Sequence, residues 1–148
     1  MQEKLIKTMV NIVFTMGDTG GYAIYEWYKL FPEDREKAIR EYIYLKAYLL
    51  EKAAELTAKV ISKEEWNEIY FSLGEVFTKE VVNYGCNYAE MCEALKYYQN
   101  TANTTNLVQL FCMRSGIGST TYSQQLVKDV PEVLSRCQAD LRKELRKI

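Results

Sequence analysis

Apolar residues recur along this chain every three or four positions, the spacing of helices with a buried face. Leu5, Met9, Ile12, Val13 and Met16 form one stripe over residues 2–16, and Gly17, Asp18, Gly20 and Gly21 stop it. Tyr25, Trp27 and Tyr28 mark a short helix over 22–31. Pro32 suits the first turn of the next helix, which the pattern carries to about Ile61 as the longest in the chain. Ile39, Tyr42, Leu45, Leu49, Ala53, Leu56 and Val60 share its main face, and Ile43 and Leu50 widen it, so burial on more than one side is expected. Ser62 and Glu65 form a capping box before a further helix, whose broad face holds Trp66, Ile69, Tyr70, Leu73, Val76, Phe77 and Val81.

The stretch after Val82 reads in two ways. Either Gly85 ends one helix as a left-handed cap and Asn87 starts another, or Asn83 is the N-cap and Gly85 lies in the first turn. Tyr88, Met91, Cys92, Leu95 and Tyr98 then mark a buried side, and Glu90, Glu93 and Lys96 a wet one. Residues 100–106 read as a polar loop, Leu107 to Arg114 as a helix, and Ser115 to Ser123 as a break. A short helix over Tyr122 to Val127 follows, and Pro131 opens the last helix, with Leu134, Cys137, Leu141, Leu145 and Ile148 inside. No segment alternates with a period of two. The expected fold is all-α: one domain over 1–148, a single bundle of seven or eight helices.

Composition narrows the function by exclusion. A net charge of −1 lacks the electrostatic footprint of a nucleic-acid binder, so a helix-turn-helix DNA reader over Asn87 to Arg114 is the remotest binding alternative. Cys86, Cys92, Cys112 and Cys137 form no Cys-x-x-Cys pair, and there is no histidine. They read as reduced, mostly buried thiols of a cytoplasmic protein, with no metal and no cofactor expected. The glycines of GDTGG lack the Lys-Ser/Thr of a phosphate loop, and Glu64, Glu68 and Glu75 read as a solvated face. No apolar run reaches the roughly 20 residues of a membrane span, so no membrane anchor is expected. The chain is accordingly not expected to be an enzyme. The twelve tyrosines read as rim residues of the core with wet hydroxyls.

One stretch carries a resemblance. Glu75, Phe77, Val81, Val82, Asn83, Tyr84 and Gly85 follow an apolar helix in the order Glu-x-Phe, five residues, Asn-aromatic-Gly. This resembles the first homology motif of the Bcl (B-cell lymphoma 2) family of apoptosis regulators, closest in style to its short, tyrosine-rich virus-encoded members. The match covers mainly residues 66–95. Leu50, Ala54 and Glu55 faintly echo a second family pattern. Tyr84 stands where the family has tryptophan, Cys86 where it has arginine, and no Gly-Gly-Trp motif follows. The resemblance implies a bundle with a central helix and a hydrophobic groove. That groove would hold the amphipathic death-motif helix of a pro-apoptotic partner, in the host cytoplasm if the protein is viral. Its implied wall is Ile69, Leu73, Val76, Phe77, Asn83, Tyr84, Gly85, Cys86 and Tyr88, with Tyr48 and Leu49 added from the long helix. The missing arginine at Cys86 implies altered partner selection. A different helical inhibitor of host signalling or defence is the alternative, and self-association as a homodimer stays open.

Overall fold

The computed structural model describes residues 2–15, 29–55, 62–80, 88–118 and 120–146. Among them there is no strand, and nearly every residue is helical. The first stripe forms α1, Gln2–Thr15, with Met9 and Ile12 buried. Lys29 and Leu30 are helical, but the rest of the short helix expected over 22–31 lies outside the described residues. Pro32–Asp34 is a 3-10 turn, closed by the Arg35 amide donating to the Pro32 carbonyl, and it feeds directly into α2, Arg35–Glu55. The helices that follow are α3, Lys63–Glu80; α4, Tyr88–Gln99; α5, Thr104–Ser115; and α6, Thr120–Leu145.

The core is organised around α2. It packs against α1, α4, α5 and α6, while α3 lies against α1 and α4. The cause is visible along the helix. Four consecutive residues, Ala47, Tyr48, Leu49 and Leu50, are buried, and so are Ile43, Tyr44 and Leu45. Four consecutive positions cover a full helical turn, so α2 has no solvent face at its middle. Each fully buried large side chain there contributes about 1.5–3 kcal/mol. The widened apolar face expected from Ile43 and Leu50 is therefore an enclosed helix.

Local signals fix the ends of the elements. Ser62 Oγ accepts from the Glu65 amide at 3.1 Å, and Glu65 Oε1 accepts from the Ser62 amide at 3.0 Å, the reciprocal pair the sequence predicts. The polar stretch at 100–106 is shorter as a loop than expected. Asn103 caps α5, its Oδ1 accepting from the Asn106 amide at 2.9 Å, so Thr104 to Asn106 form a polar first turn. Gly116, at φ 86°, ends α5, and its amide donates to the Cys112 carbonyl.

The largest departure from expectation is at Pro131, which opens no helix: α6 runs through it. Leu126, Val130, Val133, Cys137 and Leu141 are all buried, at spacings of four, three, four and four. One continuous stripe of that length outweighs a proline, whose interior cost is about 3 kcal/mol. Proline has no N–H, so the Val127 carbonyl lacks its helical partner four residues on. Pro131→Ala is expected to restore that bond and raise stability by about 1–3 kcal/mol, read as a higher urea midpoint with unchanged slope.

Candidate functional site

The residues expected to form a groove fall into two places. Ile69, on α3, is fully buried. Leu73, Val76 and Phe77 belong to α3 by backbone, and Tyr88 begins α4, but their side chains lie outside the described residues. Asn83, Tyr84, Gly85 and Cys86 lie outside them altogether. Within the described part, α3 turns Ile69 inward and leaves Phe71, two residues on, 54% exposed. Tyr48 and Leu49, on α2, instead line a cavity of about 240 Å³. Its other walls are Lys52 of α2, residues 101–103 before α5, Thr104 and Leu107 of α5, and Val130, Pro131 and Leu134 of α6, with no described residue of α3.

Polar contacts lock α4 onto α2. Tyr44 donates its hydroxyl to Glu90 Oε2 at 3.0 Å, and Gln99 Nε2 donates to both carboxylate oxygens of Glu51 at 3.0 and 3.1 Å. Beside these links is a cluster that pattern reading misses, joining α2 to α4 and α5. The buried Glu41 carboxylate of α2 receives the Tyr98 hydroxyl at 2.5 Å and Arg114 Nε of α5 at 2.5 Å, both on Oε1. The Arg114 guanidinium also lies 5.5 Å from the centre of the Tyr97 ring. Tyr98 is buried, as the apolar side of its helix predicts, and Tyr44, expected at the rim of the core, is buried too; their hydroxyls donate to Glu41 and Glu90. Glu90, expected on the wet side, is half-buried for the same reason. The available signal was Glu41 itself, an acid three residues before Tyr44 and four before Leu45 on the enclosed helix.

Electrostatics follow from burial. Burial, reinforced by the adjacent Glu41 charge and hydrogen bond, pushes the Tyr98 hydroxyl well above its ordinary value near 10.0, with Arg114 opposing. For Arg114, burial works against the charge, but the Glu41 hydrogen bond and charge outweigh it and raise its pKa, with Tyr98 and Glu93 adding to them. Burial lifts the Cys112 thiol to about 11, and burial plus the Asp140 charge lifts Cys137 to about 12. Both are free thiols, as is Cys92, and such buried thiols make poor nucleophiles at neutral pH.

These shifts have a common sign. The unfolded thiols ionise near 9.0 and the unfolded tyrosine near 10.0, while the folded groups keep their protons. The unfolded state then binds fewer protons, so the stability these groups contribute is complete below about pH 9 and is lost as pH rises. The urea midpoint is expected to stay level from about pH 7 to 8.5 and to fall steadily above about pH 9. Tyr98→Phe should make the fall above about pH 10 shallower, by up to roughly 1.4 kcal/mol per pH unit.

Among the described residues no group of three or more histidine, cysteine, aspartate or glutamate side chains is placed to hold a metal ion. Among them, too, no helix is long and apolar enough to cross a membrane. No family model, curated protein or solved structure matches this chain.

Proposed function

We propose that this chain is a helix-binding interaction module of the Bcl-like type, which seats an amphipathic death-motif helix of a pro-apoptotic partner and so inhibits apoptosis. The observation that carries the reading is the position of α3. It lies against α1 and α4 rather than among the main neighbours of α2, and it presents Phe71, a half-exposed aromatic ring, on the side away from Ile69. Aromatic residues are enriched where proteins meet, and a partner helix laid along α3 would cover this ring. The segment that follows α3 holds Asn83, Tyr84 and Gly85, the residues that carry the family resemblance. An all-helical chain built round one enclosed helix agrees in kind with that resemblance.

The arrangement also differs from the family's. The enclosed helix is α2, not α4, the helix that follows Gly85. The groove wall that the resemblance implies includes Leu73, Val76 and Phe77 of α3 and the motif residues that follow it, and Ile69, on the same helix, is buried in the core. Leu73, Val76, Phe77, Tyr84 and Tyr88 meet apolar anchors spaced i, i+3 or i+4, and i+7 on the partner helix. Cys86 supplies no cation for the partner's aspartate. In an interface built for that charge pair the loss is worth about 2–5 kcal/mol, so a narrower set of partners is bound. A virus-encoded protein acting in the host cytoplasm fits this role.

The test is titration of the full chain against a panel of amphipathic death-motif peptides. At least one is expected to bind with a dissociation constant of about 1 μM or tighter, equal to about −8 kcal/mol. Gly85→Glu, which adds bulk and charge beside the motif, is expected to abolish that binding with the helical circular dichroism unchanged. Binding no tighter than tens of micromolar across the panel would sink the reading. Unfolding of Gly85→Glu would make that glycine structural.

A further inference from the structure

Two clefts meet at Tyr48. The apolar walls of the first, of about 240 Å³, are Leu49, Leu107, Val130, Pro131 and Leu134. The second, of about 330 Å³, is lined by Tyr48 with Glu51, Lys52, Glu55 and Gln99. Tyr48 is only 9% exposed and its ring lies 5.9 Å from that of Tyr98, yet its hydroxyl has no hydrogen-bond partner among the described residues. A hydroxyl that lines a cleft and is not spent on the protein can donate to a ligand's acceptor.

The polar residues lining the first cavity are Tyr48, Lys52, Thr101, Asn103 and Thr104. Asn103 and Thr104, at the start of α5, line it. The Asn106 amide is taken by the Asn103 side chain and the Leu107 amide by the Asn103 carbonyl. The amides of Thr104 and Thr105 stand at the first two positions of a helix, where no carbonyl of that helix can accept from them. Among the described residues, Lys52 is the one charged side chain lining this cavity. Its Nζ lies 3.5 Å from Glu55 Oε2, with both side chains about half exposed, so that pair is weak and exchangeable. Glu51, the other acid of the second cleft, already accepts from Gln99. An apolar cavity whose mouth offers a hydroxyl, an ammonium and helix-terminal amides selects a ligand with an apolar body and an accepting, negatively charged head. A cavity of about 150 Å³ lined by apolar side chains holds benzene, so this one has room for an aromatic ring and a short arm.

We propose that this cavity binds a small carboxylate with an aromatic body, of the arylacetate class. Its ring lies between Leu49, Leu107 and Leu134, and its carboxylate takes up Lys52, the Tyr48 hydroxyl and the first amides of α5. No described residue of α3 lines the cavity, so this site and the helix-binding wall stand or fall separately.

The experiment is a titration of the full chain, followed by amide nuclear magnetic resonance, with three probes of one shape: phenylacetate, phenylacetamide and phenethylamine. Phenylacetate is expected to saturate with a dissociation constant of about 0.1–1 mM, as befits a ligand of about ten heavy atoms. Shifts should fall on residues 48–52, 101–107 and 130–134. Phenylacetamide should bind about fivefold more weakly, and phenethylamine at least about tenfold more weakly. Tyr48→Phe, which keeps the ring and removes the hydroxyl, should weaken phenylacetate about fivefold. Lys52→Glu, at a half-exposed position, should abolish its binding with the helical circular dichroism unchanged. The proposal is overturned if phenylacetate gives no saturable shifts up to about 10 mM, if phenethylamine binds as tightly, or if both variants bind phenylacetate like the parent chain.

Discussion

Replacing Arg114 by methionine is expected to lower the stability of the chain by about 3 kcal/mol, while adding Glu41→Leu to it should recover most of that loss. The asymmetry follows from the cluster's geometry. One oxygen of Glu41, almost wholly buried, is shared by Arg114 Nε and the Tyr98 hydroxyl. Removing the guanidinium strands a carboxylate in the core with a neutral donor for company. Stranding one member of a buried pair costs about 3–5 kcal/mol, and the Arg114 side chain, 21% exposed, places the loss at the low end. Replacing both charges with apolar groups of similar volume strands nothing. Urea denaturation of the two single variants and the double variant gives the coupling directly. Additive losses would mean that Glu41 and Arg114 do not act as a unit.

Phe111→Ala is expected to cost about 3–5 kcal/mol and Phe71→Ala no more than about 0.5 kcal/mol, although both rings sit on helices. Phe111 has no exposed surface and meets the Tyr42 ring edge-on, with centroids 6.4 Å apart. Truncating it removes apolar area and leaves a cavity against α2, which has no room to collapse since it is enclosed by four other helices. Phe71 is more than half exposed, so little transfer energy is at stake. Its importance shows instead in binding: the Phe71→Ala chain should keep its melting temperature and bind the partner helix at least about tenfold more weakly. Equal melting temperatures for the two variants would mean that α5 does not seat Phe111 in the core.

These two pairs show which parts of the fold the sequence could reveal. Helix periodicity placed α1, α2 and α3, and Ser62 and Glu65 marked a helix start, because both signals are local and need no distant partner. The burial of Glu41 depends on Tyr98 and Arg114, 57 and 73 residues along the chain, and no period in the residues around Glu41 encodes them. Pro131 misled for a related reason. Its local chemistry ends helices, and only the unbroken buried stripe from Leu126 to Leu141 overrides it. Asn103 was legible as a capping residue type, but the polar turn after it hid a helix start. For the candidate site, the apolar face of α3 was legible at Ile69, whereas Tyr48 and Leu49 were set beside the same wall only by resemblance. The structure gives those two a cavity shared with α5 and α6.

The central claim is that α3 and the motif after it form a wall for a partner helix. It is tested most directly by hydrogen–deuterium exchange of the chain with and without a saturating death-motif peptide. The expected result is slower exchange over residues 63–88, because binding N but not the locally opened state suppresses opening there, with the already enclosed α2 unchanged. Slowing confined to α5 and α6, or no slowing anywhere at concentrations of hundreds of micromolar peptide, would contradict it.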